Sequence, residues 1–346
     1  MATLPERLLY VDDTRFDNHV AVAPHPERPE RLAAIRRGLL EPLKRAGAQR
    51  LSAREASHEE LIAAHAQDHL QTLERALAGE IGDIDEDTYF SEGSHRAAWL
   101  AAGSAAELAT RLLVEPSAAG VLLARPPGHH ATRTRSMGFC LLNNVAVAAY
   151  AALAKGAQRV AIVDFDVHHG NGTQDIFYDD PRVLFVSLHQ WPLYPGSGSS
   201  KEIGQGPGLG ATVNVPLPSG SGANEYGLAF ERVVEPVLGQ FAPELLLVSA
   251  GFDAHRADPL ASMQLNDEDY GAMTASLWNV MARLGAPRMA MLLEGGYSLD
   301  ALERAGDRVA GALTGGKAAI ASGSASELAV RHVEATRAAL APYFSL

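Results

Sequence analysis

The stretch Val160-Ala161-Ile162-Val163-Asp164-Phe165-Asp166-Val167-His168-His169-Gly170-Asn171-Gly172 constrains this chain more than any other. An apolar run of strand length ends in Asp-x-Asp-x-His and then in glycines that stop it. In an extended backbone alternate side chains share a face. That places Asp164, Asp166 and His168 on one side, with Phe165 and Val167 turned toward packing. Two carboxylates and an imidazole at a strand end are costly to bury unless a cation pairs with them. The mixed oxygen and nitrogen donors suit zinc, and also ferrous iron or cobalt. A calcium loop needs glycine at its sixth position, where this chain has His169. The plain alternative is a polar turn whose carboxylates are satisfied within the core.

The same grammar recurs along the chain. Arg7 to Val11 reads as a short strand, and a stiff His25-Pro26-Glu27-Arg28-Pro29 loop feeds an amphipathic helix from Leu32 to Leu43. Glu59 to Ala78 is helical by its periodicity, with His65 and His69 at i, i+4. Ala66-Gln67-Asp68 between them lacks the glutamate of a zinc protease, so a solvated or capping role is expected for that pair. The acidic segment Glu80 to Glu92 reads either as a solvated loop or as a rim for a cationic substrate. An alanine-rich helix, Ser94 to Leu113, precedes a strand, Ala118 to Ala124, that ends in Arg125-Pro126-Pro127-Gly128-His129-His130. A small-residue helix is expected over Asn143 to Ala154. Strands from Leu184 to Leu188, Ala211 to Val215, Glu244 to Ser249 and Arg288 to Leu293 follow. The last two run into Ala250-Gly251-Phe252-Asp253-Ala254-His255 and Glu294-Gly295-Gly296-Tyr297. The glycines of 204–210 precede a strand rather than a helix, so they form no dinucleotide fingerprint.

Strands alternating with helices predict an α/β fold with a mostly parallel sheet covered on both faces, and ligands outside the carboxyl ends of its strands. The polar clusters would then meet in one crevice. That convergence favours a metal site over scattered turns. No repeat or second domain is visible. The 346 residues are read as a single domain, 1–346, with a core of about 6–315 and a terminal helix within 325–343. A net charge of −12 without a basic cluster argues against nucleic acid as partner. The lone Cys140 excludes an internal disulfide and a cysteine-based zinc knuckle. Without a leader-like N-terminus or a run of about 18 apolar residues, no membrane partner and a cytoplasmic location are expected.

The motifs Arg-Pro-Pro-Gly-His-His (125–130), Gly-Phe-Cys-Leu-Leu-Asn-Asn (138–144), Asp-Phe-Asp-Val-His-His-Gly-Asn-Gly-Thr (164–173), Ser-Ala-Gly-Phe-Asp-Ala-His (249–255) and Glu-Gly-Gly-Tyr (294–297) occur in one order. Together they resemble the histone deacetylase family of zinc amidohydrolases, within it the class II type and its bacterial deacetylase-like members. The resemblance spans roughly residues 6 to 315. It implies a single arginase-like α/β domain. It implies zinc on Asp166, His168 and Asp253, a tandem His129 and His130 oriented by Asp164 and Asn171, and Tyr297 as oxyanion donor. Class I enzymes carry aspartate where Asn171 stands, so less elevation of the His130 pKa is expected. The resemblance further implies Phe139 and Tyr194 as tunnel walls, Gly138 beside the scissile amide, Leu260 on the wall, Asp87 on the rim and Arg31 buried behind the site. Tyr194 departs from the commoner phenylalanine. Potassium is implied at Asp164, Asp166, His168, Ser187 and Leu188, and a second potassium at Phe177, Asp180 and Val183.

The implied activity is removal of acetyl or other short acyl groups from N-acetyl-lysine side chains, in peptides or proteins, or from similar small acetylated amines. An acetylpolyamine amidohydrolase would do the same chemistry on acetylated diamines, but usually carries a longer insertion than the Gly79 to Gly93 segment. A ureohydrolase needs a paired Asp-x-Asp that Phe252-Asp253-Ala254-His255 lacks. A non-catalytic acyl-lysine or metal-binding module would not need Tyr297, His129 and His130 together. Homo-oligomerisation stays open.

Overall fold

The computed structural model describes residues 4–79, 81–285 and 287–346. Among the described residues ten strands run in chain order: β1 (Arg7–Asp12), β2 (Gln49–Arg50), β3 (Ile81–Asp83), β4 (Tyr89–Ser91), β5 (Ala118–Leu123), β6 (Val160–Asp164), β7 (Val183–Trp191), β8 (Thr212–Pro218), β9 (Leu245–Ala250) and β10 (Arg288–Leu293). Eight of them form one sheet in the order β2-β1-β5-β10-β9-β6-β7-β8, and every pairing in it is parallel. The central strands are apolar over most of their length and almost entirely buried, as strands covered on both faces must be. Crossover helices supply the cover. Ser94–Leu113 and Asn144–Ala154, both rich in alanine, pack on each other and are largely buried. Asp267–Arg283 and Leu299–Thr314 form a second pair, joined by the helical run that begins at Glu30. The terminal helix Glu327–Leu340 packs on the edge strand β8, where Thr336 donates to the Asn214 carbonyl at 2.8 Å.

The sheet order positions the site. β5, β10, β9 and β6 are consecutive neighbours, although the chain reaches them as its fifth, tenth, ninth and sixth strands. The register sets Asp164 opposite both Ser249 and Ser187. Polar residues that follow these strands therefore emerge side by side.

Three local expectations are corrected. The helix expected from Glu59 to Ala78 is two helices, His58–Ala64 and Gln67–Leu77, because His65 and Ala66 are extended. His65 is neither solvated nor half of a helical pair. Its ring is buried, with Nδ1 2.9 Å from the Thr132 carbonyl and Nε2 accepting the Asn143 N–H at 2.9 Å. The acidic segment is no simple loop, since β3 and β4 form an antiparallel hairpin around it. Finally, β6 stops at Asp164, so Asp166 and His168 are not extended-strand neighbours. Their convergence has another cause, described next.

Candidate metal and acyl-transfer site

At the end of β6 each carboxylate folds the chain back on itself. Asp164 Oδ1 accepts the Asp166 N–H at 3.1 Å, and Asp166 Oδ1 accepts the His168 N–H at 2.9 Å. These are the short side-chain-to-backbone bonds that aspartate uses to make turns. Phe165 and Val167 are left buried, as the alternation reading expects, although the backbone is bent. From β9, Asp253 Oδ1 accepts the Val167 N–H at 2.9 Å; from β10, the Gly295 N–H donates to Asp166 Oδ2 at 2.7 Å. Neighbouring strand ends must come very close to do this. A Cβ on Gly251 would lie 2.2 Å from Asp166 Oδ2, and one on Gly295 would lie 2.2 Å from Asp253 Oδ2.

The ligand atoms of Asp166, His168 and Asp253 all lie within 4.8 Å of one another, the one such group among the described residues. His168 Nδ1 is 3.1 Å from an oxygen of each carboxylate. Burial disfavours charge on His168, but the hydrogen bonds to Asp166 and Asp253 outweigh it and raise its pKa to about 10. Burial and the Asp166 charge push Asp253 up to about 7. Two buried carboxylates crowded about one imidazole are an arrangement that a divalent cation relieves. Three O, N, O donors also fit zinc in the number used where one position stays open.

Beside the donors stand the tandem histidines, their ring centroids 4.0 Å apart. His129 Nδ1 is 2.9 Å from Asp164 Oδ2, and His130 Nδ1 is 2.7 Å from Asn171 Oδ1. The Asn171 amide nitrogen faces Met137 Sδ at 3.5 Å, which turns its oxygen to His130. His130 Nδ1 therefore carries the proton, and its Nε2 is bare when the ring is neutral. The two rings are driven apart electrostatically. Burial works against charge on His129, but Asp164 and Asp166 raise its pKa well above the ordinary value. Burial, His129 and His168 hold His130 well below it. Asn171, where a carboxylate would oppose that, adds only a weak hydrogen-bond contribution.

Glu294 opens the Glu-Gly-Gly-Tyr motif, and its job is visible only in the structure. Its Oε2 takes the N–H groups of Gly128 and His129 at 2.7 and 3.2 Å, while Oε1 takes the Ser249 hydroxyl at 3.1 Å. It therefore braces the ends of three adjacent strands. Arg31 is buried behind the site as expected, donating to the carbonyls of Gly296 (2.6 Å) and Glu294 (2.5 Å). Its guanidinium lies 4.8 Å from the centroid of the Tyr297 ring. Asp258, which the sequence reading missed, accepts the Tyr297 N–H at 2.7 Å and the Leu260 N–H at 3.0 Å. Glu27 was also missed. Its buried carboxylate binds Arg125, Arg31 and the Tyr89 hydroxyl. Burial opposes the charge on Glu27, but the Arg125 guanidinium holds its carboxyl far below the usual carboxylate range. The i, i+4 spacing of Glu27 and Arg31 was the one local signal for it.

The rim comes from loops. Asp87 sits in the turn of the β3–β4 hairpin and accepts the Gly138 N–H at 3.1 Å, while Thr88 Oγ1 accepts the Phe139 N–H at 3.1 Å. Gly138 and Phe139 are both left-handed, φ 59° and 68°. A Cβ on Gly138 would strike the His130 ring at 2.5 Å. The turn sets Phe139 edge-on to Tyr297, centroids 5.9 Å apart. Tyr194, from the loop 192–211, stands edge-on to His130 and His168 at 5.1 and 6.3 Å. Ser187 lies beside Asp164 by strand register, followed by the buried Leu188. Phe177, Asp180 and Val183 form a separate turn, with Asp180 N–H on the Phe177 carbonyl and the Asp180 carboxylate held by Arg182. Thus the structure brings the expected metal, histidine, tyrosine and tunnel residues together, and leaves the second potassium group apart from them.

Fold and site together define an α/β architecture of the arginase and deacetylase type. The sequence pattern of the histone deacetylase domain matches residues 25–313. Histone deacetylase 15 of Arabidopsis thaliana is 42% identical over 301 residues, which is 86% of this chain and 54% of that protein. The histone deacetylase-like amidohydrolase of Pseudomonas aeruginosa is 40% identical over 280 residues, 80% of this chain and 74% of that protein. The crystal structure of the HDA15 HD domain matches with a TM-score of 0.90 at 38% identity, covering 98% of this chain and 95% of that one. The chain belongs to the histone deacetylase family, a family of hydrolases that act on amide bonds. It spans about half the length of the plant histone deacetylase 15. No helix among the described residues is long and apolar enough to cross a membrane.

Proposed function

We propose that the chain is a zinc-dependent deacetylase that removes acetyl groups from N-acetyl-lysine side chains or from similar acetylated amines. The convergence of Asp166, His168 and Asp253 beside the His129–His130 pair is the observation that carries this reading. Zinc held by these three residues would polarise the acyl carbonyl and acidify a water. His130, neutral and with Nε2 free, takes the proton of the attacking water. Tyr297 donates its hydroxyl hydrogen to the developing oxyanion, its ring held by Phe139 and Arg31. His129, kept protonated by Asp164, supplies charge beside His130 and a proton for the leaving amine. Phe139 and Tyr194 flank the acyl-lysine stem, with Gly138 and Leu260 beside it, and Asp87 receives the substrate backbone. Potassium at Asp164, Asp166, His168, Ser187 and Leu188 would offset the carboxylates behind the zinc. The second potassium belongs at Phe177, Asp180 and Val183.

The acidic hairpin turn, with Asp85 and Asp87 next to the entrance, also suits a cationic acetylated diamine. Acetate release by the zinc-loaded protein separates the two, through kcat/KM on an acetyl-lysyl peptide and on N-acetylputrescine. Preference for the peptide is the expected result; preference for the diamine would move the chain to polyamine chemistry. Release from neither would refute both.

A further inference from the structure

The loop 192–211 that carries Tyr194 contains no regular structure beyond a helical turn at Gly206–Gly208, and side-chain bonds join a few backbone turns, such as the Gly196 N–H on the Leu193 carbonyl, in setting its shape. Those side-chain bonds meet at Glu202. Its carboxylate accepts the N–H groups of Gly198 at 3.2 Å and Ser199 at 2.9 Å, and the Gln174 amide nitrogen at 2.6 Å. Its backbone carbonyl accepts Asn214 Nδ2 at 3.0 Å. Gln174, Asn214 and His169 are buried.

Donor and acceptor chemistry then orients every member. A carboxylate only accepts, so Gln174 turns its nitrogen to Glu202 and its oxygen away. That oxygen lies 2.7 Å from Asn214 Nδ2 and 3.1 Å from His169 Nε2. His169 therefore carries its proton on Nε2, and its Nδ1 accepts from the Ser197 hydroxyl at 2.9 Å. Ser197 lies three residues beyond Tyr194, and His169 follows His168 directly. His189 adds a parallel tie, its Nε2 donating to the Gly198 carbonyl at 2.9 Å. A Cβ at Gly198, where φ is 95°, would lie 2.5 Å from His189 Nε2.

From this we infer that Glu202 is a positioning residue for the substrate tunnel: it polarises a chain from the buried Gln174 and His169 to the half-buried Ser197 that holds the Tyr194 loop against the histidine pair. The inference rests on the reading of Tyr194 as a tunnel wall. Its chemistry makes a specific demand. In Glu202→Gln the amide oxygen goes to the Gly198 and Ser199 N–H groups, and the amide nitrogen faces Gln174. Gln174 must flip, which points its nitrogen at Asn214 Nδ2. His169 can follow by exchanging its ring proton. Asn214 cannot, because its Nδ2 also serves the Glu202 carbonyl. Adding Gln174→Glu removes the conflict, since a carboxylate at 174 accepts from residue 202, Asn214 and His169 alike.

The test compares wild type, Glu202→Gln and Glu202→Gln/Gln174→Glu, all zinc-loaded, by amide hydrogen exchange over 193–200 and by steady-state kinetics on an acetyl-lysyl peptide. Glu202→Gln is expected to exchange faster and to raise KM about tenfold with kcat nearly unchanged. The double variant is expected to return both toward wild type. Unchanged exchange and KM in Glu202→Gln, or a double variant no better than the single one, overturns the inference. Should Glu202→Gln fail to fold, rescue of folding by Gln174→Glu supports it, and failure of both refutes it. A wild type that releases no acetate would defeat the deacetylase reading alone, because the exchange comparison still decides the role of Glu202.

Discussion

Asp166, His168 and Asp253 follow strands paired on both sides within the sheet, whereas Asp87 and Tyr194 are carried by a two-strand hairpin and a long loop at the entrance. In the first group Asp166 and Asp253 are buried and His168 nearly so, and all three are fixed from several directions at once. Asp166 alone is bound by its own turn, by Gly295 just beyond β10 and by His168. The second group depends on a few side-chain-to-backbone bonds, such as Asp87 to Gly138, and Tyr194 is 38% exposed. The difference matches the work proposed for each. Metal and acid–base groups lose their effect when displaced by a fraction of an ångström. A rim that admits side chains from many contexts tolerates, and can use, a softer construction.

Breaking the floor should have the largest effect. Asp253→Ala removes one of three donors and frees the Val167 N–H; loss of bound zinc and of all measurable turnover is expected. Stoichiometric zinc by elemental analysis would strike Asp253 from the donor set. Next, Tyr297→Phe keeps the ring between Phe139 and Arg31 but deletes the hydroxyl. Zinc content should stay constant while turnover falls about 10²- to 10³-fold. Wild-type-like turnover would take Tyr297 out of the mechanism. The smallest change belongs to the rim. Asp87→Ala should raise KM for an acetyl-lysyl peptide about tenfold while leaving zinc binding intact, the cost of one charged hydrogen bond and its hold on Gly138. An equally large loss on a minimal acetylated amine, which has no peptide backbone to grip, would show that Asp87 acts by shaping the floor.

The same contrast explains what could be read in advance. The strands β5, β6, β9 and β10 were legible because buried parallel strands are continuous apolar runs, and their polar ends announced themselves. Asn171 and the weaker support it gives the His130 pKa could be recognised by motif, but which way its amide turns, and so which His130 nitrogen carries the proton, needed Met137 beside it. Periodicity alone joined 59–78 into one helix, because nothing local shows that His65 will be claimed by Thr132 and Asn143, about 70 residues on. Glu202 gave no signal at all. It is one acidic residue in a glycine- and serine-rich loop until Gln174 and Asn214 are brought beneath it.

By itself the sequence determined the fold class, the family and the chemical types gathered at the site, because hydrophobic patterning and short motifs are local properties. It did not determine how those residues meet. The neighbouring of β5, β10, β9 and β6 follows from crossovers that later strands complete by inserting between earlier ones. Glu27 joins Arg125 across 98 residues, and Glu294 reaches Gly128 across 166. A buried charge must find a partner wherever the packed chain supplies one, and only the tertiary structure decides which partner that is.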